Sequence, residues 1–162
     1  MATIDYIELE ILAAIRSVPS DTLKGDRAWT KAVFKAIADL GVRTNHRICS
    51  SSSDGEHDSG WLYDLIWYKV DDQGQLLSVP LILECEWHTN YERIKYDFEK
   101  LLISRSKYKV MIFQAKGEKM EKYFQNLEAG IQAFESAAAD EAYILACFDD
   151  HDWDFDIRII KR

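Results

Sequence analysis

The sequence predicts an α/β fold: one mixed sheet flanked by helices. Three observations carry this. Apolar residues recur at spacings of three and four over 4–18, 27–40, 91–105 and 117–137, the period of an amphipathic helix. Between these stretches lie short runs of branched and aromatic residues bounded by polar turns, which read as strands. Over 80–115 a strand, a helix and a strand follow one another, and that order calls for a parallel pair joined by a right-handed crossover.

The elements are justified in turn. Ile4, Ile7, Ile11, Ile15 and Val18 form the stripe of a first helix closed by Pro19. Asp26 is the expected N-cap of a second, with Trp29, Val33, Phe34, Ile37 and Leu40 on one face and Gly41 as its stop. A thin strand signal covers 42–49, followed by the polar loop CSSSSDGEHDSG. WLYDLIWYKV (61–70) and PLILECEW (80–87), separated by the turn DDQGQ, form an antiparallel hairpin, with Pro80 tolerated at the start of its strand. A helix follows over 91–105 through Tyr91, Ile94, Phe98, Leu101 and Leu102, and YKVMIFQA (108–115) is a buried-type strand. The helix over 117–137 precedes two final strands, AYILACF (142–148) and WDFDIRII (153–160). The order is ααβββαβαββ, in a single domain over 1–162.

The chain has 162 residues, 20 basic and 28 acidic, for a net charge of −8. An acidic total argues against a general nucleic-acid coat, because phosphate binding needs local cations. The charge is unevenly spread: nine Lys and Arg against four acids lie between residues 93 and 122. The three cysteines, Cys49, Cys85 and Cys147, are scattered without a CxxC, which excludes a disulfide framework. The N-terminus lacks a basic leader and carries Asp5, Glu8 and Glu10 early, unlike a secretory signal. No apolar run approaches the roughly 18 residues of a membrane helix. The expectation is a cytoplasmic protein with no membrane partner.

The hairpin carries the most informative pattern. With Gly74 at its centre, paired residues place Asp64 opposite Glu84 or Glu86. Strand side chains alternate, so Glu84 and Glu86 share a face, and three carboxylates gather in one patch between apolar strands. Like charges so close repel, and burying them unpaired is costly. A proton, a cationic side chain or a divalent metal has to compensate. Oxygen-only ligands suit Mg²⁺ or Mn²⁺ rather than zinc, and such an ion activates water and clamps a phosphodiester.

WLYDLIWYKVD, a turn, PLILECEW, a helix and YKVMIFQ together resemble the PD-(D/E)XK nuclease superfamily over residues 27–115 or so. The resemblance implies a restriction-endonuclease-like αβββαβ core, here with an added αββ C-terminal part. It also implies a Mg²⁺-dependent nuclease acting on nucleic acid, DNA before RNA. Asp64 matches the family's Asp, and Glu84-Cys85-Glu86 occupies its Glu-x-Lys motif, which some members carry as Glu-x-Glu. Tyr63 stands where the family has Pro. By this resemblance Asp64, Glu84 and the Cys85 backbone carbonyl hold the metal, and Glu86 or a lysine of the following helix orients or deprotonates water. Lys95 lies about 70° from the centre of that helix's apolar face and Lys100 about 150°. The angle favours Lys95; the compact DFEKLL run keeps Lys100 as the other candidate. The absent motif lysine and the acidic total keep two other readings open. One is an inactive nuclease-like fold used as a binding or regulatory module. The other is an acidic inhibitor that docks a basic protein. With no separate recognition domain visible, specificity falls to a partner protein or a second copy of the chain.

Other motifs are weaker. Asp149, Asp150, Asp152, Asp154 and Asp156 lack the Gly and Glu of a calcium loop and read as the acidic edge of a half-exposed strand. Cys85 points away from its two acidic neighbours, towards core. Trp61 and Trp87, at strand ends, are packing residues or platforms for a base.

Overall fold

A computed structural model describes residues 4–19, 21–51, 57–149 and 152–162. It contains α1 (Tyr6–Arg16), α2 (Asp26–Arg43), β1 (Arg47–Ser50), β2 (Leu65–Val70), β3 (Leu76–Glu86), α3 (Tyr91–Leu102), β4 (Tyr108–Gln114), α4 (Lys119–Ala133), β5 (Ala142–Asp149) and β6 (Asp154–Lys161). The strands lie side by side in sequence order in one sheet. β1, β2 and β3 are antiparallel, β3, β4 and β5 are parallel, and β6 returns antiparallel to β5. The expected element order and mixed sheet are therefore present, with α1 and α2 on one face and α3 and α4 on the other.

Alternation along the strands feeds two cores. Leu65, Trp67, Leu81, Leu83, Val110 and Ile112 pack with Ile11, Val33 and Ile37. Ile66, Ile82, Met111, Phe113 and Leu145 pack with Ile94, Phe98, Phe124 and Leu127. The first core is tied by Trp67, whose buried indole N–H donates to the Ile37 carbonyl over 3.1 Å.

Several boundaries differ from expectation. Asp26 is the first residue of α2, and the N-cap is Gly25 at φ 81°, a conformation open to a residue without Cβ. Gly41 does not stop that helix but lies inside it. A Cβ there would meet Ile48 Cδ1 at 2.5 Å and Trp67 Nε1 at 2.6 Å, so its role is close packing of α2 on the sheet. The stop comes after Arg43, with Asn45 at φ 62°. The first helix begins at Tyr6, because Asp5 and Glu8 form a reciprocal capping box. β3 extends upstream to Leu76, so Pro80 sits inside it. Its missing N–H is tolerated because the β2–β3 register shifts between Trp67 and Lys69 and the pairing with β4 begins only at Leu81. Helices α3 and α4 end before 105 and 137, and β2 starts at Leu65 rather than Trp61. β6 alternates as expected, with Asp154 and Asp156 exposed around buried Phe155. Asp150 and His151 lie outside the described residues.

Candidate active site

The register Leu65↔Leu83, Ile66↔Ile82, Trp67↔Leu81 is the one expected from Gly74 as the hairpin centre. Extended by one residue it brings Asp64 level with Glu84. Asp64 itself lies just before β2, where its carboxylate takes over from the ladder: Oδ2 accepts from the Cys85 N–H at 2.9 Å. The N–H and C=O of a strand residue leave on the same side, so the Cys85 carbonyl shares the Asp64 edge of β3. Ser51 completes the setting. Its N–H donates to the Asp64 carbonyl at 2.8 Å and its hydroxyl to Oδ1 at 3.4 Å.

Glu84 projects from the α3 side of β3 and is wholly buried. Lys100 of α3 meets it, Nζ donating to Oε2 at 2.7 Å and to Asp97 Oδ1 at 3.1 Å. The Tyr63 hydroxyl donates to the Lys100 carbonyl at 3.4 Å, fixing the loop before β2 against α3. Glu84 Oε1 is buried with no hydrogen-bond partner among the described residues. Burial pushes the Glu84 carboxyl up to about 8, and the neighbouring Asp64 charge adds to this against the pull of Lys100. Burial likewise raises Asp64, opposed by its Cys85 hydrogen bond. Lys100 is lowered by burial but lifted further by its bonds to Glu84 and Asp97, and ends above its ordinary value. A buried acceptor with nothing to accept from is costly, so Oε1 calls for a proton or a cation. Asp64 and Glu84 offer only oxygen atoms, the donor type that Mg²⁺ and Mn²⁺ take.

Glu86, the third carboxylate of the expected patch, is engaged by His88. β3 ends at Glu86, and the chain turns so that Glu86 Oε1 accepts from the His88 N–H and lies 2.7 Å from His88 Nδ1. Arg93 NH1 sits 3.2 Å from the same ring. Glu86 thus orients an exposed imidazole just beyond β3. Among the described residues no group of three or more His, Cys, Asp or Glu is arranged to hold a metal. Lys95 is not brought to the acids: it is half-exposed and lies 3.7 Å from Glu99, one turn on. Cys85 packs against the α1–α2 core, as does Trp87, whose indole N–H donates to Thr30 Oγ1 at 2.8 Å.

Asp97 and Ser51 are not singled out from the sequence, and Tyr63 is noted only as standing where the resembled family has Pro. Asp97 had a signal, since it stands three residues before Lys100 on one helix face. Tyr63 and Ser51 had none, for both act from loops whose course is set by the sheet. Compared with family models, curated proteins and solved structures, the chain matches none of them significantly.

Proposed function

We propose that the chain is a metal-dependent phosphodiesterase of nucleic acid with a restriction-endonuclease-like core, its motif lysine supplied by α3. The observation that carries this reading is the contact between Lys100 Nζ and Glu84 Oε2 at 2.7 Å, beside Asp64 and a buried carboxylate oxygen without a partner among the described residues. Asp64, Glu84 and the Cys85 carbonyl would hold Mg²⁺ or Mn²⁺. Bound there, the ion supplies positive charge for a phosphate and lowers the pKa of a coordinated water. Lys100, held by Glu84 and Asp97, keeps a fixed ammonium where charge builds on the phosphate, in a setting already organised before substrate arrives. Glu86 and His88 form the candidate pair for moving a proton, the carboxylate holding the ring in place. DNA is preferred to RNA as substrate, and a protein partner or second copy would supply specificity.

The test starts with calorimetric Mn²⁺ titration of wild type and Asp64→Ala, which needs no guess about substrate. Binding in wild type that disappears in the variant supports the reading and calls for cleavage assays. Binding that survives the substitution sinks the constellation. A second reading, an inactive nuclease-like binding module, draws on the same contact: Lys100 already sets a cation on Glu84 Oε2 from within the fold. In that case wild type binds no Mn²⁺, and no cleavage follows on single strands or duplexes.

A further inference from the structure

We infer that the cavity beside the candidate site seats an unpaired nucleobase of a single-stranded substrate, next to the phosphate that Asp64 and Glu84 would address. The inference rests on the nucleic-acid reading above and specifies its substrate class. The cavity measures about 530 Å³ and lies between the loop before β2, the first half of β3 and the loop from α3 to β4. Trp61, Tyr63 and Pro80 supply apolar wall, Ser104 a hydroxyl, and Arg105 and Lys107 the charge.

Three features select the occupant. In a chain with 28 acids and a net charge of −8, no acid is found among the described residues that line this cavity, and two of them are cationic. Arg105 is exposed and has neither an ion pair nor a hydrogen bond among the described residues, so its guanidinium is free for a phosphate oxygen. Lys107, by contrast, is held by Asp5 at 2.8 Å and stiffens the wall. Trp61 is half-exposed and stacks on Tyr68, ring centroids 5.6 Å apart and 27° from parallel. An exposed ring held in place is a stacking platform, and stacking serves any base because every base has a π-face.

Position supplies the link to the chemistry. Ile82 lines the cavity and lies two residues before Glu84 on the same face of β3, about 7 Å away along the strand. Tyr63 lines it too and directly precedes Asp64. A base in the cavity thus has its own sugar and phosphate at the acids. A paired base is stacked between neighbours and cannot enter a concave pocket without being extruded, so the cavity selects single strands, overhangs or frayed ends over intact duplex.

Binding is measured with metal chelated, so that no cleavage can occur, by fluorescence anisotropy of labelled oligothymidylate, oligouridylate and a duplex of equal length. Wild type is expected to bind one or both single strands at least about tenfold tighter than duplex, and Trp61→Ala and Arg105→Ala each to weaken that binding about tenfold. Trp153→Ala is expected to have no effect, since Trp153 lines a different cavity with Trp29 and Trp87. Both substituted side chains are exposed, and unchanged circular dichroism verifies the folds. Equal binding of the two single strands supports the pocket as well as a preference does, because either puts an unpaired base there. Duplex bound as tightly as single strand, absence of oligonucleotide binding, or affinity indifferent to Trp61→Ala and Arg105→Ala overturns the inference. Failure here with Mn²⁺ binding intact leaves the nuclease reading standing; single-strand binding without metal binding sinks the nuclease and keeps the pocket.

Discussion

Glu84→Gln is expected to change how stability depends on pH. Glu84 is wholly buried, and its carboxyl is raised from an ordinary 4.5 to about 8. Between those pH values the folded chain keeps a proton that the unfolded chain has released. Stability therefore falls as pH rises through this window. At about 1.4 kcal/mol per tenfold in proton affinity, the full span amounts to about 5 kcal/mol, with the pull of Lys100 already included. Gln is neutral throughout and nearly isosteric, so the variant lacks this loss. Its stability relative to wild type is expected to grow by several kcal/mol from pH 5 to pH 8. Urea unfolding at a series of pH values measures the difference directly. His46, lowered by burial and by Lys69, works in the opposite sense, gaining stability as pH rises through its titration. It is present in both proteins and cancels in the difference. A difference that stays constant from pH 5 to 8, or shrinks, refutes the argument: Glu84 would then be ionised throughout, with Lys100 compensating it fully.

Three further outcomes follow from the same geometry. Lys109 is fully buried and pairs with Glu141 at 2.8 Å, so Lys109→Met is expected to cost about 3–5 kcal/mol in urea unfolding, while Lys109→Met with Glu141→Leu recovers most of it. Gly41→Ala is expected to lower the melting temperature, since its Cβ meets the Ile48 and Trp67 side chains; overpacking of about 1–3 kcal/mol outweighs a helix-propensity gain of about 1. In a Mn²⁺-dependent cleavage assay, Lys100→Ala is expected to lose about 10²–10³-fold in rate, and Lys95→Ala to leave it unchanged.

The parts legible in the sequence are those governed by short-range periodicity. The helix stripes, the hairpin centre at Gly74 and the pairing of Leu65 with Leu83 follow from local patterning, and they put Asp64 beside Glu84. Less legible were features set by tertiary approach. Gly41 carries the residue type of a helix stop, yet what it answers to is Trp67 and Ile48 pressing on α2, two side chains that come from other elements. Glu86 alternates onto the face of Glu84, but the chain turns away after β3 and His88 captures its carboxylate. Pro80 reads as a strand start, and only the register shift opposite Tyr68 makes room for it within β3.

The lysine shows why a helical wheel ranks such candidates wrongly. A wheel gives the angle around an axis and nothing of the height along it. α3 returns antiparallel to β3, so its later residues lie beside earlier residues of the strand. Lys100 is nine residues past Tyr91, about 14 Å along the helix, while Glu84 is only two residues before the end of β3. Side chains on a helix tilt towards its N-terminus, and a lysine spans that offset with its four-carbon stem laid along the flank of the helix. Hence Lys100, about 150° round the wheel, is only a third exposed and ends on Glu84, whereas Lys95, nearer the apolar face, ends on Glu99. Reach and height, rather than angle, decide which cation a buried carboxylate finds. The same reasoning puts Asp97 at the site: one turn before Lys100, it accepts the second hydrogen bond that fixes the ammonium. Asp97→Asn would therefore loosen Lys100 without removing a proposed metal ligand, and it separates the role of the lysine's position from that of its charge.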